Sequence, residues 1–167
     1  MRPLALVLAI AAALVVAGCR SGGVDDLARN AEPDGPEIKV SEGVVPSGPW
    51  TAWLYRQRNG LICLMVHDAE GTSSGGCDGA AAVGPTVSGN GAKTTTVTGG
   101  TSRREATSAR VTLTDGRQFT LDLVQPAAGV TEDVRYYVGV FLGTEVAQTV
   151  EIMGSGGQIL DSYDVGP

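Results

Sequence analysis

The residues whose types and spacing could do chemistry are few: two cysteines, the single histidine and the carboxylates beside them. Cys63 and Cys77 flank His67, with Asp68 next to the histidine and Asp78 next to the second cysteine. Two thiolates, an imidazole and a carboxylate could make a tetrahedral zinc site, or a copper site. The familiar paired spacings of such sites are absent, and a lone histidine at a strand end is ordinarily just solvated. Oxidised instead, the two cysteines would close a loop of fifteen residues, worth about 3 kcal/mol in the chain-entropy picture. The expected state is a disulfide between Cys63 and Cys77, with the metal site as its rival.

Nucleophilic catalysis finds less support. Ser73 and Ser74 lie near His67 in sequence, but no G-x-S-x-G turn presents either of them. Residues 89–94, Gly-Asn-Gly-Ala-Lys-Thr, have the flavour of a phosphate loop, yet Ala92 interrupts the arrangement and no strand–loop–helix setting surrounds it. Residues 161–166 do not follow the calcium-loop spacing. No catalytic, cofactor-binding or metal-ligating residue is therefore assigned, and no cofactor is expected. Aromatic residues remain. With period two, Trp50, Ala52 and Leu54 share one face of a strand, and Trp53 and Tyr55 share the other. One face must be core; the other could be an aromatic contact surface for a glycan or a partner protein, so Trp50, Trp53 and Tyr55 are the candidate contact residues.

What positions these groups begins at the N-terminus. Arg2 precedes an uncharged apolar run over residues 4–16, and Ala17-Gly18-Cys19 follows it. Thirteen apolar residues suit the h-region of a signal peptide and fall short of the roughly 18–20 that cross a bilayer as a helix. Val16-Ala17-Gly18-Cys19 resembles the lipobox that closes a bacterial lipoprotein signal peptide. The resemblance implies cleavage before Cys19, a diacylglyceryl group on its sulfur, and stable attachment to the extracytoplasmic face of the cell membrane, since more than one acyl chain is held. An oxidising compartment follows, and it favours the pairing of Cys63 with Cys77.

Cleavage there leaves 149 residues, enough for one domain and a tail, with eighteen acidic groups against eleven basic ones. That balance, without a basic patch, argues against nucleic-acid partners and against electrostatic docking on an anionic membrane. Residues 19–49 read as a lipidated cysteine followed by a flexible tether, carrying prolines 33, 36, 46 and 49 and six carboxylates. Such a segment is expected to stay disordered and to span roughly 30 Å; an edge strand through Ile38 and Val40 is the alternative.

From residue 50 short period-two runs alternate with glycine turns. Strands are expected over 50–58 and 61–66 about Asn59-Gly60, over 109–114 and 117–124 about Asp115-Gly116, over 134–142, and over 146–153 and 158–163 about residues 154–157. Residues 71–107, rich in Gly, Ser and Thr, offer a further strand at 93–98. No apolar stripe at helical spacing follows residue 19. The expected fold of residues 50–167 is all-β, an antiparallel sandwich of seven or eight short strands, Ig-like, with a small barrel as second choice. Over this stretch the chain resembles small actinobacterial lipoproteins and secreted β-sandwich proteins in which a Cys…Gly-x-Cys loop precedes several hairpins. That resemblance implies a location and a fold class, and no active site. The function expected is a lipid-anchored, extracytoplasmic envelope module, non-catalytic, that binds or scaffolds a protein or glycan. The alternatives are a metal-handling protein or hydrolase centred on His67, and a purely structural surface protein.

Overall fold

The computed structural model describes residues 31–79, 84–90, 94–125, 130–131, 133–143 and 145–166. Cys19 and the expected signal segment, residues 1–18, lie outside them. Eleven strands follow one another among the described residues: β1 (Ile38–Val45), β2 (Gly48–Arg56), β3 (Ile62–Asp68), β4 (Ser73–Asp78), β5 (Gly84–Asn90), β6 (Thr94–Thr101), β7 (Ala106–Leu113), β8 (Gln118–Asp122), β9 (Arg135–Leu142), β10 (Ala147–Gly154) and β11 (Ile159–Asp164). The fold is an antiparallel β-sandwich, with no helix among the described residues, and its sheets stay open rather than closing into a barrel.

Three sheets make the layers. One is the meander β1-β2-β3-β4, a second has the order β5-β6-β9, and the third the order β11-β10-β7-β8. The β5-β6-β9 sheet lies between the other two. Alternation along β9 shows this directly: Tyr137 and Phe141 pack with Ala109, Val111, Leu113, Val150 and Ile152 of the third sheet. Tyr136 and Val138, pointing the other way, pack with Leu54, Ile62 and Leu64 of the first. β6 is buried along its whole length, Thr94 to Thr101. Each large aliphatic side chain so enclosed contributes roughly 1.5–3 kcal/mol, so two apolar layers hold the three sheets together.

Four hairpins share one turn. Gly60, Gly71, Gly116 and Gly157 donate their N–H to the carbonyls of Gln57, Asp68, Leu113 and Gly154, three residues earlier. All four glycines have φ between 77° and 86°. This is the three-residue loop with one left-handed residue, rather than the two-residue turn, with two left-handed residues, that Asn59-Gly60 and Asp115-Gly116 suggest. Side chains reinforce all four: Asn59 Oδ1 accepts from Leu61 N and Asp115 Oδ1 from Arg117 N, both at 3.0 Å, Asp68 Oδ1 accepts from Thr72 N at 2.8 Å, and Gln158 Oε1 from Gly156 N at 2.9 Å.

Three expectations need correction. Strands among the described residues number eleven, not seven or eight, because residues 71–107 hold β4, β5 and β6 where one strand was expected and β1 lies in the expected tether. Glycine and threonine there have low apolar content, but Thr96, Thr98 and Val97 are buried between sheets, and threonine is a good strand former. The stretch before Cys77, a loop in the proteins the chain resembles, is here strand: β4 runs from Ser73 to Asp78. The expected tether also ends too late. β1 pairs with β2 from Ile38↔Leu54 to Val45↔Gly48, Ile38 and Val40 cover the second apolar cluster, and Pro33 bridges Gln57. The domain therefore reaches back at least to Glu32, whose carbonyl accepts from Arg58 N; residues 20–30 of the expected tether lie outside the described residues.

Candidate functional site

The first sheet has two unlike faces. Register from the β2–β3 and β3–β4 ladders places Ala52, Leu54, Leu64 and Val66 on the inner face, all buried. The outer face carries three cross-strand rows: Thr51–His67–Ser73, then Trp53–Met65–Gly75, then Tyr55–Cys63–Cys77. Trp53, Tyr55, Met65 and His67 are each half-buried. Neither apolar cluster includes any of them.

Of the three aromatic candidates the fold brings two together. Trp53 and Tyr55 stand on the outer face; Trp50 points inward. Its indole lies flat over Gly43 of β1, where a Cβ would sit 2.6 Å from the ring. From there it walls a narrow cleft between the first and central sheets, with Val66, Val140 and the hydroxyl side chains of Ser74, Thr94 and Thr96. Ser74 Oγ and Thr96 Oγ1, 2.8 Å apart, tie the two sheets across it.

Cys63 and Cys77 are joined in a disulfide. They face each other directly across β3 and β4, which is why both sulfurs emerge on the outer face. The bond consumes the two thiolates on which the metal alternative drew. His67 does not gather the remaining groups either. Its Nδ1 lies 2.8 Å from Ser73 Oγ, whereas strand alternation sends Asp68 to the opposite face, where its carboxylate accepts from Glu70 N and Thr72 N in the β3–β4 turn. Asp78 stands at the far end of β4, its Oδ1 accepting from Gly79 N at 2.6 Å. Among the described residues no three of His, Cys, Asp and Glu come together as a metal cage.

Charge on this face is light. Lys39 and Glu42 of β1 pair at 3.3 Å, both exposed. Burial pushes the Tyr55 hydroxyl above its ordinary range, the nearby Glu37 carboxylate pushes the same way, and a hydrogen bond to Gln57 offsets part of it. Tyr55 is therefore neutral at physiological pH, a ring with one polar tip. Gln57, itself buried, reaches Cys77 Sγ with its Nε2 at 3.6 Å and accepts from Asn59 Nδ2 at 3.1 Å.

Sequence reasoning overlooked Met65 and Gly75. The three-residue loop, with Gln57 opposite Leu61, puts Tyr55 opposite Cys63 and Trp53 opposite Met65; the two-residue turn that Asn59-Gly60 suggests would set Val66 opposite Trp53 instead. Gly75 has φ of 139°, and a Cβ there would stand 2.2 Å from the Leu64 carbonyl oxygen. Only glycine fits, and its bareness leaves Met65 without a neighbour on the β4 side of the row. The resulting surface is a shallow apolar shelf of Trp53, Met65 and the Tyr55 ring, edged by His67, Ser73, Lys39 and Glu42. It can stack and bury a partner's apolar or CH-rich surface while the edge supplies hydrogen bonds. No family model, curated protein or solved structure matches this chain.

Proposed function

We propose that this chain is a lipid-anchored extracytoplasmic binding module, held in the envelope through Cys19, which engages a protein or glycan on the outer face of the β1–β4 sheet without transforming it. One observation carries the reading: Trp53, Met65 and Tyr55 share a sheet face that neither apolar core uses. Tryptophan, tyrosine and methionine are enriched where proteins meet partners, and truncating such an anchor typically costs 2 kcal/mol or more, about thirtyfold in affinity. The Cys63–Cys77 bond braces β4 against β3 directly beneath the shelf, in keeping with an oxidising location.

Photo-crosslinking in the native envelope tests the proposal. A photoreactive side chain at Thr51, beside Trp53 on β2, should yield an adduct of defined mass; the same probe at Thr120, on the exposed face of β8, should not. Trp53→Ala should abolish the Thr51 adduct while leaving the protein folded and anchored. Equal adducts from both positions, or none from Thr51, would reject the reading.

The hydrogen bond between His67 Nδ1 and Ser73 Oγ favours one second reading, a hydrolase using Ser73 as nucleophile. That pair lies on a flat strand face, and both carboxylates nearest in sequence point elsewhere. A serine-directed fluorophosphonate that labels the wild-type protein, but not Ser73→Ala, would establish it over the binding role.

A further inference from the structure

The two halves of the Cys63–Cys77 bond differ in their surroundings. Cys63 sits in β3, an interior strand of its sheet, and is 0% exposed. Cys77 sits in β4, the last strand of that sheet, and is exposed. From these positions we infer that Cys77 is a thiol-exchange site on the outer face: an incoming thiolate of low molecular weight attacks Cys77 Sγ, and Cys63 is the leaving group.

Displacement at sulfur proceeds along the line of the S–S bond, so each sulfur is open only from the side away from its partner. The bond runs across the sheet from β3 to β4. A nucleophile for Cys77 therefore comes in over the β4 margin, where the outer face ends. A nucleophile for Cys63 would have to come from the β2 side, and Tyr55 stands there, directly opposite Cys63 in the ladder. Among the described residues β5 meets β4 on its inner side, where Thr86 stands against Gly76, and Cys77 stays exposed. Two features work the other way. The Gln57 Nε2–H directed at Cys77 Sγ makes Cys77 the better leaving group, and burial of Cys63 makes its thiolate the poorer one. A neutral N–H donor at 3.6 Å from sulfur is a weak bond, and a blocked approach to Cys63 outweighs both.

The step balances without an added oxidant. The incoming thiolate forms a bond to Cys77 Sγ, the Cys63–Cys77 bond breaks, and its electron pair leaves on Cys63, which takes a proton from solvent. A buried thiolate is unfavourable, so protonated Cys63 waits beside the mixed disulfide; deprotonation lets it attack Cys77 Sγ again and expel the incoming thiol. The adduct that forms meanwhile stands in the same row as Tyr55 and next to the Trp53–Met65 row, so exchange adds a substituent to the proposed contact shelf. The inference itself rests on the disulfide and its register, not on the binding role.

The test uses the whole lipidated protein in detergent. It is treated with 2-mercaptoethanol under native conditions and quenched in acid, which removes the thiolate on which exchange depends. It is then denatured, alkylated and mapped by peptide mass. The mercaptoethanol adduct should sit on Cys77 and the alkyl group on Cys63, by at least about tenfold, the ratio a single small barrier difference produces. In denaturant the preference should vanish, and Tyr55→Ala should move the native ratio toward parity. Parity in the native protein, a preference for Cys63, or an adduct obtainable only in denaturant would overturn the inference. An unchanged ratio in folded Tyr55→Ala would overturn the shielding by Tyr55 on which it depends.

Discussion

Replacing Tyr137 by phenylalanine should make this protein more stable, which is unusual for a fully buried site. Tyr137 is 0% exposed, at the centre of the apolar layer between the central and third sheets. Its hydroxyl oxygen is buried and has no hydrogen-bond partner among the described residues. It is pressed against the bare backbone of Gly99, its partner in the β6–β9 ladder; a Cβ on Gly99 would lie 2.3 Å from it. An unpaired buried hydroxyl costs about 1–3 kcal/mol. Deleting the oxygen forfeits a handful of dispersion contacts at roughly 0.1–0.2 kcal/mol each, so the net gain should be about 1 kcal/mol. With a urea m-value in the ordinary range of about 1–3 kcal/mol/M, the midpoint should rise by about 0.5 M. The gain should widen in alkali. Burial pushes the Tyr137 hydroxyl far above its ordinary pKa, with the Tyr163 hydroxyl adding to it. The unfolded chain therefore releases this proton near pH 10 while the folded one holds it. Folding is then weakened progressively as pH rises above 10, and the phenylalanine variant escapes that loss. A midpoint that is unchanged or lower in Tyr137→Phe, measured at pH 7 with the disulfide intact, would refute the reasoning and indicate that the hydroxyl is hydrogen-bonded after all.

Other outcomes follow from single features. Replacing Cys63 and Cys77 together by serine should lower stability by about 3 kcal/mol, the entropy returned to the loop, read from denaturant midpoints. Gly75→Ala must place a Cβ 2.2 Å from the Leu64 carbonyl at φ of 139°; a loss of about 3 kcal/mol or more is expected, and a loss under about 1 would show that β4 can shift. His67→Ala should change the same midpoint by no more than about 0.5 kcal/mol, because a half-exposed side chain with one hydroxyl partner holds little. Cys19→Ala should shift the protein out of the membrane fraction or stall its processing, and unchanged partitioning with unchanged mature mass would count against the anchor.

Turns and amphipathic pairs were the most legible part of this fold. The hairpin expected over 109–114 and 117–124 is present as β7 and β8, with Val111, Leu113, Phe119, Leu121 and Leu123 on the core side, because one face there meets solvent and alternation is clean. Two kinds of element escaped. β1 looks like a tether because prolines and carboxylates surround its few apolar residues; its identity as a strand comes from its ladder with β2 and from Ile38 and Val40 reaching the core, both long-range facts. β9 was expected as a strand over 134–142, while the role of its odd face, Tyr137 and Phe141, came only from a third sheet that no local pattern announces. The site divides the same way. Trp53 and Tyr55 on one face and Trp50 on the other follow from period two, and the Cys63–Cys77 pair from spacing and compartment. Which of the two faces lacks a covering layer depended on where β5, β6 and β9 lie.

The composition of β6 has a consequence for how the chain reaches its native state. A strand enclosed on both faces is ordinarily a run of valine and isoleucine; this one is Thr-Thr-Thr-Val-Thr-Gly-Gly-Thr. β6 ends at Thr101 and its ladder partner β9 begins only at Arg135, so a chain emerging amino end first carries an incomplete central layer while the intervening residues follow. The β1–β4 meander, in which every ladder joins neighbours, can close during that interval; non-local pairings are slower because the intervening chain must first be brought round. An unpaired valine-rich strand exposed for that time would template association with other copies. Threonine keeps the β-branched shape that the finished interior packs and adds a hydroxyl that water can hold in the meantime. The polar interior of this sandwich thus reads as kinetic protection: some cohesion of the finished layer is exchanged for safe passage of a strand that must wait for its partner.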